Sequence, residues 1–79
     1  MNDQKIKSDN NIIIGENIRK IRLAKKIGQT ELVRLLQLRG ISMTREALVK
    51  IERGIQHIYA SQLKAIRDIL DTTYGELLK

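Results

Sequence analysis

The sequence predicts a small all-α domain, and three observations support that fold class. The chain has 79 residues without a single proline, and aliphatic side chains dominate a hydrophobic fraction of 42%. Apolar residues recur at helical spacing, whereas no segment alternates with period 2 for long enough to form a strand. Glycine or hydroxyl residues stand where the helical patterns stop and start. We therefore predict five helices in one domain over residues 12–79, preceded by a polar, flexible arm at residues 1–11.

The first two helices are predicted from apolar stripes. Ile14, Ile18 and Ile21 recur at i, i+4 and i+7, and this helix is expected to end near Ile27 and Gly28. The second helix is expected to begin at the same glycine, because glycine is an acceptable N-cap. Its inner face is formed by Leu32, Leu35 and Leu36.

The remaining helices are predicted mainly from their end residues. Thr44 is a favourable N-cap for a third helix, which is expected to run until Gly54 ends it. A fourth helix is expected over about residues 60–70, with leucine and isoleucine on one face. Thr73 and Glu76 have the spacing of a capping box, which predicts a short fifth helix after them.

The charge balance points to a polyanionic partner. Fifteen Lys and Arg residues against nine Asp and Glu residues give a net charge of +6 and a pI near 10.0. Such an excess in one small domain is typical of nucleic-acid binding, although many ordinary small domains are also basic.

The N-terminus and the apolar runs bear on location. The longest apolar run is the three isoleucines at residues 12–14, far below the ~20 residues of a membrane span. The chain begins without an apolar signal segment and has no cysteine. We therefore expect a cytoplasmic protein that has no membrane partner.

The residues that enzymes and metal sites need are scarce. His57 is the only histidine, and no cysteine is available as a nucleophile or metal ligand. The five glycines are dispersed and form no phosphate-binding loop. We therefore expect no enzymatic activity, no metal or other cofactor, and no small-molecule substrate.

The third predicted helix, residues 44–53, divides into two faces on a helical wheel. Thr44, Leu48 and Ile51 share the face that is expected to enter the core. The opposite face carries polar and charged residues, as a helix that reads DNA bases needs. These residues are Glu46, Val49, Lys50 and Arg53, with Arg45 to the side.

The residue types on that outer face match groups on base edges. Arg45 and Lys50 can donate to guanine O6 and N7, Glu46 can accept from cytosine N4, and Val49 can contact a thymine methyl. A solvated surface charge is the alternative for each charged residue. That alternative has more weight for Glu46, because a carboxylate repels phosphates.

Several segments also match a known pattern in register. They are IRKIR at residues 18–22, QTEL at 29–32, LVKIERG at 48–54 and an apolar pattern over 63–78. Over residues 13–79 the chain thereby resembles the lambda-repressor-like (Xre-type) helix-turn-helix domains. The IERG segment is the most specific of these matches, because family members commonly end the recognition helix with it.

The resemblance implies that the protein binds double-stranded DNA, with residues 44–53 as a recognition helix in the major groove. The family residues that match Arg45, Glu46 and Lys50 read bases. Those that match Arg22 and Glu52 form an ion pair that fixes the angle of the recognition helix. The residue that matches Gln29 holds a phosphate, as the free N–H groups of a helix N-terminus favour. Further phosphate contacts are expected from Arg39, Thr44 and Arg53.

The chain departs from the family pattern in the turn before the recognition helix. Val33 and Glu52 are 52 − 33 = 19 positions apart, which is longer than the usual spacing. The extra residues fall around residues 38–42, and LQLRGI at 36–41 is similar to a stretch in one subgroup of the family. The longer turn leaves the tilt of the third helix open, and it adds Arg39 as a potential phosphate contact.

Two functions remain open after these considerations. The first is a transcriptional repressor that acts as a homodimer on a two-fold operator. The second is an antitoxin that binds a toxin protein and also regulates its own operator; an anti-repressor is another conceivable protein partner. The fold does not separate the two functions, whereas a neighbouring toxin-like reading frame would.

Overall fold

The computed structural model describes residues 10–79, which form five α-helices and, within that range, no strand. The all-α prediction with five helices is confirmed. Residues 1–9, where most of the predicted arm falls, lie outside the described residues, and the first helix already begins at Asn10. The helices are α1 (Asn10–Ala24), α2 (Gln29–Leu38), α3 (Arg45–Glu52), α4 (Ala60–Ile69) and α5 (Tyr74–Leu78).

The core is aliphatic and takes side chains from every helix. The predicted stripe of α1 lies in it, with Ile14 and Ile18 fully buried and Ile21 partly buried against them. In α2 the prediction was partly wrong, because Leu35 is only half-buried and Val33 lies in the core. The other fully buried large side chains are Leu32, Leu36, Leu48, Ile51, Ile58, Ile66, Leu70 and Leu77.

Helices α1 to α4 end in the same way, with a residue of positive φ just past the end of the helix. Gly54 does this after α3, as predicted, with φ +75°. The predicted end of α1 was wrong. Lys26 adopts φ +60° and the Ile27 N–H donates back to the Arg22 carbonyl at 3.0 Å, which stops α1 at Ala24. A lysine in this left-handed conformation is uncommon, so the sequence pattern did not reveal it.

The turn between α2 and α3 is ordered by hydrogen bonds at both ends. Gly40 has φ +77°, and the Ile41 N–H donates to the Leu36 carbonyl at 3.0 Å, which closes the end of α2. The Gln37 side-chain amide then donates to the Met43 carbonyl at 3.1 Å. From α4, the amide of Gln62 donates to the Ser42 carbonyl at 3.2 Å. The longer turn is therefore a defined connection.

Thr44 begins α3, but it does not enter the core. Its Oγ1 accepts from the Ala47 N–H at 3.0 Å, which confirms its role as N-cap. The prediction that it shares the buried face was wrong, because the N-cap backbone is extended (φ −101°, ψ 161°) and leaves the helical wheel. The residue is exposed, and the neighbouring Met43 fills the core instead.

Helix α5 packs against α1 and is held there by one side chain. The Asn17 amide donates to the Leu77 carbonyl at 2.9 Å and to the Lys79 carbonyl at 3.2 Å. Leu77 is fully buried beneath this contact.

In the part of the chain that the structure describes, no helix is long and apolar enough to cross a membrane.

Candidate nucleic-acid interface

The outer face of α3 is an open, charged surface with a small depression in it. The five residues that line the depression are Arg45, Glu46, Val49, Lys50 and Arg53. The four charged side chains are exposed, and Val49 is half-buried between them. The structure thus brings together on one surface all four predicted base-contacting residues and the predicted phosphate contact at the end of α3.

The charges on this face are not paired with each other. Among residues 10–79, Arg45, Lys50 and Arg53 make no ion pair and no side-chain hydrogen bond. Lys50 lies one turn after Glu46, at a spacing that permits an ion pair, yet no such pair forms. These three cations, two in α3 and one at its C-cap, therefore keep their full capacity to bind an external anion.

The inner face of α3 lies unusually close to α1. At Gly15 a side chain would not fit, because a Cβ atom there would overlap the Ile51 carbonyl oxygen and lie 2.9 Å from that of Glu52. Next to this contact, Ile12 lies against Gly54, where a Cβ atom would be 2.8 Å from the Ile12 Cγ1. The backbone of α1 thus supports the C-terminal end of α3 directly.

A buried ion pair joins the same two helices. Arg22 Nε donates to Glu52 Oε2 at 2.7 Å, and its second terminal nitrogen donates to Oε1 at 2.9 Å. Only 6% and 2% of the two side chains are exposed. The remaining terminal nitrogen of Arg22 donates to the Ile27 carbonyl at 2.9 Å. Such a fully hydrogen-bonded buried pair contributes little net stability, but its two-pronged geometry restricts the orientation of α3.

Gln29 belongs to this buried network as well as to the surface. It is the first residue of α2, and its side-chain amide donates to Glu52 Oε1 at 3.1 Å. Phosphate binding is the role expected of it from the sequence, and the structure adds a second role, since Gln29 connects the start of α2 to the end of α3. Gly28 caps α2 without a side chain, so the first backbone N–H groups of α2 are left for an external acceptor.

The two remaining predicted phosphate contacts lie at the ends of the α2–α3 turn. Thr44 is exposed next to Arg45 on α3. Arg39 is exposed at the end of α2 and lies 4.0 Å from an Asp68 carboxylate oxygen on α4, which is the limit of an ion pair. The pKa of Asp68 is lowered mainly by a hydrogen bond from Arg67, with a smaller contribution from Arg39. Arg39 is therefore only loosely held.

The sequence pattern did not reveal two groups of residues that shape the site. Gly15 sits within a helix, and no local pattern distinguishes a glycine that permits close packing from one that only weakens a helix. Gln37 and Gln62 hold the turn from two different helices, 62 − 37 = 25 positions apart. Amide side chains of this kind have no periodic pattern that would reveal them.

Comparison with known proteins adds no family to this picture. No protein-family model matches the chain, and no curated protein or solved structure matches it. The fold and the surface define a compact all-α domain of five helices that presents a charged helix face. What the protein does is therefore inferred from its own residues.

Proposed function

We propose that the protein binds double-stranded DNA sequence-specifically, with α3 in the major groove, and that it represses transcription. One observation carries the proposal: the outer face of α3 presents three unpaired cations around an apolar centre. Such a surface suits a polyanion that also exposes hydrogen-bonding and apolar groups between its charges. Duplex DNA has phosphate charges on its backbone and base edges in its grooves.

The arrangement of α2 and α3 supports entry into the groove. Two short helices joined by a turn, the second with a polar outer face, form the helix-turn-helix unit that seats a helix in the major groove. An α-helix with its side chains is about 10–12 Å across, and the major groove is about 12 Å wide, so the exposed face of α3 fits into it. We propose on this basis that the five helices form a lambda-repressor-like domain.

The proposed contacts divide into base readers and phosphate holders. Arg45 and Lys50 donate to guanine edges, while Glu46 and Val49 contact neighbouring bases. The phosphate holders are Arg53, Arg39, Thr44 and the N-terminus of α2 at Gln29. Because the Gln29 side chain is engaged by Glu52, we propose that its phosphate contact uses backbone N–H groups.

A repressor of this kind acts by occupying its site. A helix in the major groove excludes other proteins from the same base pairs, so binding near a promoter lowers transcription. We propose a homodimer on DNA, which requires an operator with two-fold symmetry. The cytoplasmic location expected from the sequence belongs to the same proposal.

The proposal is tested by selecting duplexes from a random pool with the full 79-residue chain. We expect enrichment of one motif with two-fold related halves, one helical turn of DNA apart or a multiple of it. Lys50→Ala should reduce the enrichment, whereas Lys20→Ala should not. Lys20 is also an exposed lysine, but it lies beside α5 in a groove with Glu76 and Lys79. A pool that stays random with the parent chain would contradict the proposal.

A further inference from the structure

The depression on α3 has an apolar floor and a charged rim. Val49 is the only apolar side chain of the five that line it, and it is half-buried. The rim holds Arg45, Lys50 and Arg53 as cations and Glu46 as the single anion. A ligand group that fits here is small and apolar, and it is carried by a polar, anionic molecule.

In duplex DNA one position on the base edges meets this description. The major-groove edges consist of hydrogen-bond donors and acceptors, apart from C5 of the pyrimidines. Thymine carries a methyl group at C5, and cytosine carries one only after methylation. The depression over Val49 therefore suits a pyrimidine C5 position, and the neighbouring residue decides which pyrimidine it is.

Glu46 favours cytosine. It lies on the turn before Val49, at the i, i+3 spacing that makes two side chains neighbours on a helix surface. An ionised carboxylate only accepts hydrogen bonds. Beside C5, cytosine presents the N4 amino group, which donates, whereas thymine presents O4, which also accepts and is repelled. Within the described part of the chain, Glu46 has no ion pair or side-chain hydrogen bond, so it is available to accept one.

The net charge of the surface supports the same assignment. A carboxylate among three cations weakens their attraction for phosphates, unless it accepts a hydrogen bond from a base. Glu46 is exposed and lies in the first turn of α3, the part of a recognition helix that contacts base edges. The attraction for phosphates that Glu46 removes is thus offset by the discrimination between bases that Glu46 provides.

We propose that Glu46 and Val49 form one subsite for a cytosine in duplex DNA and that methylation of this cytosine strengthens binding. Glu46 accepts from the N4 amino group, and Val49 contacts the C5 position. The inference rests on the proposed function. It adds that the protein distinguishes methylated from unmethylated sites.

The test uses the selected duplex and 5-methylcytosine placed at each cytosine in turn, with affinity measured by fluorescence anisotropy. We expect one cytosine in each half-site at which the methyl group tightens binding about four-fold, the effect of burying one methyl-sized group. Val49→Ala should remove this gain and leave the preference for cytosine. Glu46→Gln should lose that preference and favour adenine, whose N6 and N7 match a glutamine amide.

Separate controls distinguish the ways in which the proposal can fail. Duplexes in which deoxyuridine replaces thymine should bind with unchanged affinity, since Val49 is assigned to cytosine. A Val49-dependent loss at one thymine would overturn the cytosine assignment, and so would methylation that weakens binding or has no effect. Tight binding of the unmodified duplex in those cases would leave the proposed function intact; failure to bind it would overturn the function itself.

Discussion

The two faces of α3 differ in almost every physical property. The inner face is fully packed: Leu48 and Ile51 are buried, and Glu52 is paired with Arg22. At Gly15, the backbone of α1 lies directly against the backbone of this face. The outer face is exposed and charged, and its cations have no partner among residues 10–79. Eight residues thus present a rigid side and a side that is free to bind.

This difference separates stability from recognition on one helix. Groups on the inner face have already used their hydrogen-bonding and packing capacity within the protein. Groups on the outer face keep theirs, so they contribute little to folding and remain available to an external partner. Substitutions on the inner face should therefore change stability and weaken all binding together, and those on the outer face should change binding alone.

The largest effect is expected from the buried ion pair. Arg22→Ala or Glu52→Ala should each lower the free energy of unfolding by about 3–5 kcal/mol, because each leaves a buried charge without its partner. The double variant should cost clearly less than the sum of the two. Urea unfolding of the four proteins gives the coupling energy directly.

Gln29→Ala provides the matched comparison for this cycle. It removes one hydrogen bond to the Glu52 carboxylate but leaves the ion pair, so the loss should be about 1.5–3 kcal/mol. Purely additive effects of the Arg22 and Glu52 substitutions would show that the two residues are not coupled in solution.

The next effect concerns the close contact between α1 and α3. Gly15→Ala should destabilise the protein by about 1–3 kcal/mol, because its Cβ atom forces the Ile51 carbonyl and α1 apart. Gly75→Ala is the control, since its Cβ atom would meet only the Thr73 Oγ1, at 3.6 Å. That variant should be unchanged or slightly more stable, because alanine favours a helix. Equal melting temperatures for the two variants would contradict the contact.

A change on the outer face should leave folding alone. Arg45→Ala should cost about 1–3 kcal/mol in binding to the selected duplex and relax the preference at one base position. Its stability should change by less than about 0.5 kcal/mol. Gln29→Ala should instead weaken the selected duplex and an unrelated duplex by similar factors, because it removes the bond that joins the start of α2 to Glu52 and touches no base. If the Arg45 variant selects the same motif with every position equally sharp, Arg45 is not a base reader.

The smallest effect is expected at a position on neither face of α3. Lys26 has φ +60° at the end of α1, a conformation that costs a lysine about 1 kcal/mol relative to glycine. Lys26→Gly should therefore raise the free energy of unfolding by up to about 1 kcal/mol. Lys25→Gly removes the same charge at a neighbour without positive φ, so it should lower stability. Thermal unfolding of the two variants separates the effects, and a loss of stability in both would contradict the strained conformation.

The helices themselves were largely predictable from the sequence. Their apolar stripes, such as Ile14 and Ile18, and their caps, such as Thr44, are local patterns that act over one or two turns. The end of α1 was not predictable, because the positive φ of Lys26 is imposed by the way that α1 joins α2. The half-buried state of Leu35 likewise depends on which helices pack nearby.

The candidate site was predictable on its outer face and only partly on its inner face. A helical wheel placed Lys50 and Val49 together without knowledge of the fold. The contact at Gly15 and the bond from Gln29 to Glu52 link positions distant in the chain. Only the packed structure brings such positions together.

The central claim, that the outer face of α3 binds duplex DNA, is tested most directly by the salt dependence of affinity. We expect log K to fall linearly with log salt for the parent chain, with a slope of roughly −0.9 for each neutralised phosphate. Lys50→Ala should weaken binding to the selected duplex by a larger factor than Lys20→Ala does, although both remove one exposed positive charge. A salt-independent affinity, or an equal loss in the two variants, would contradict the claim.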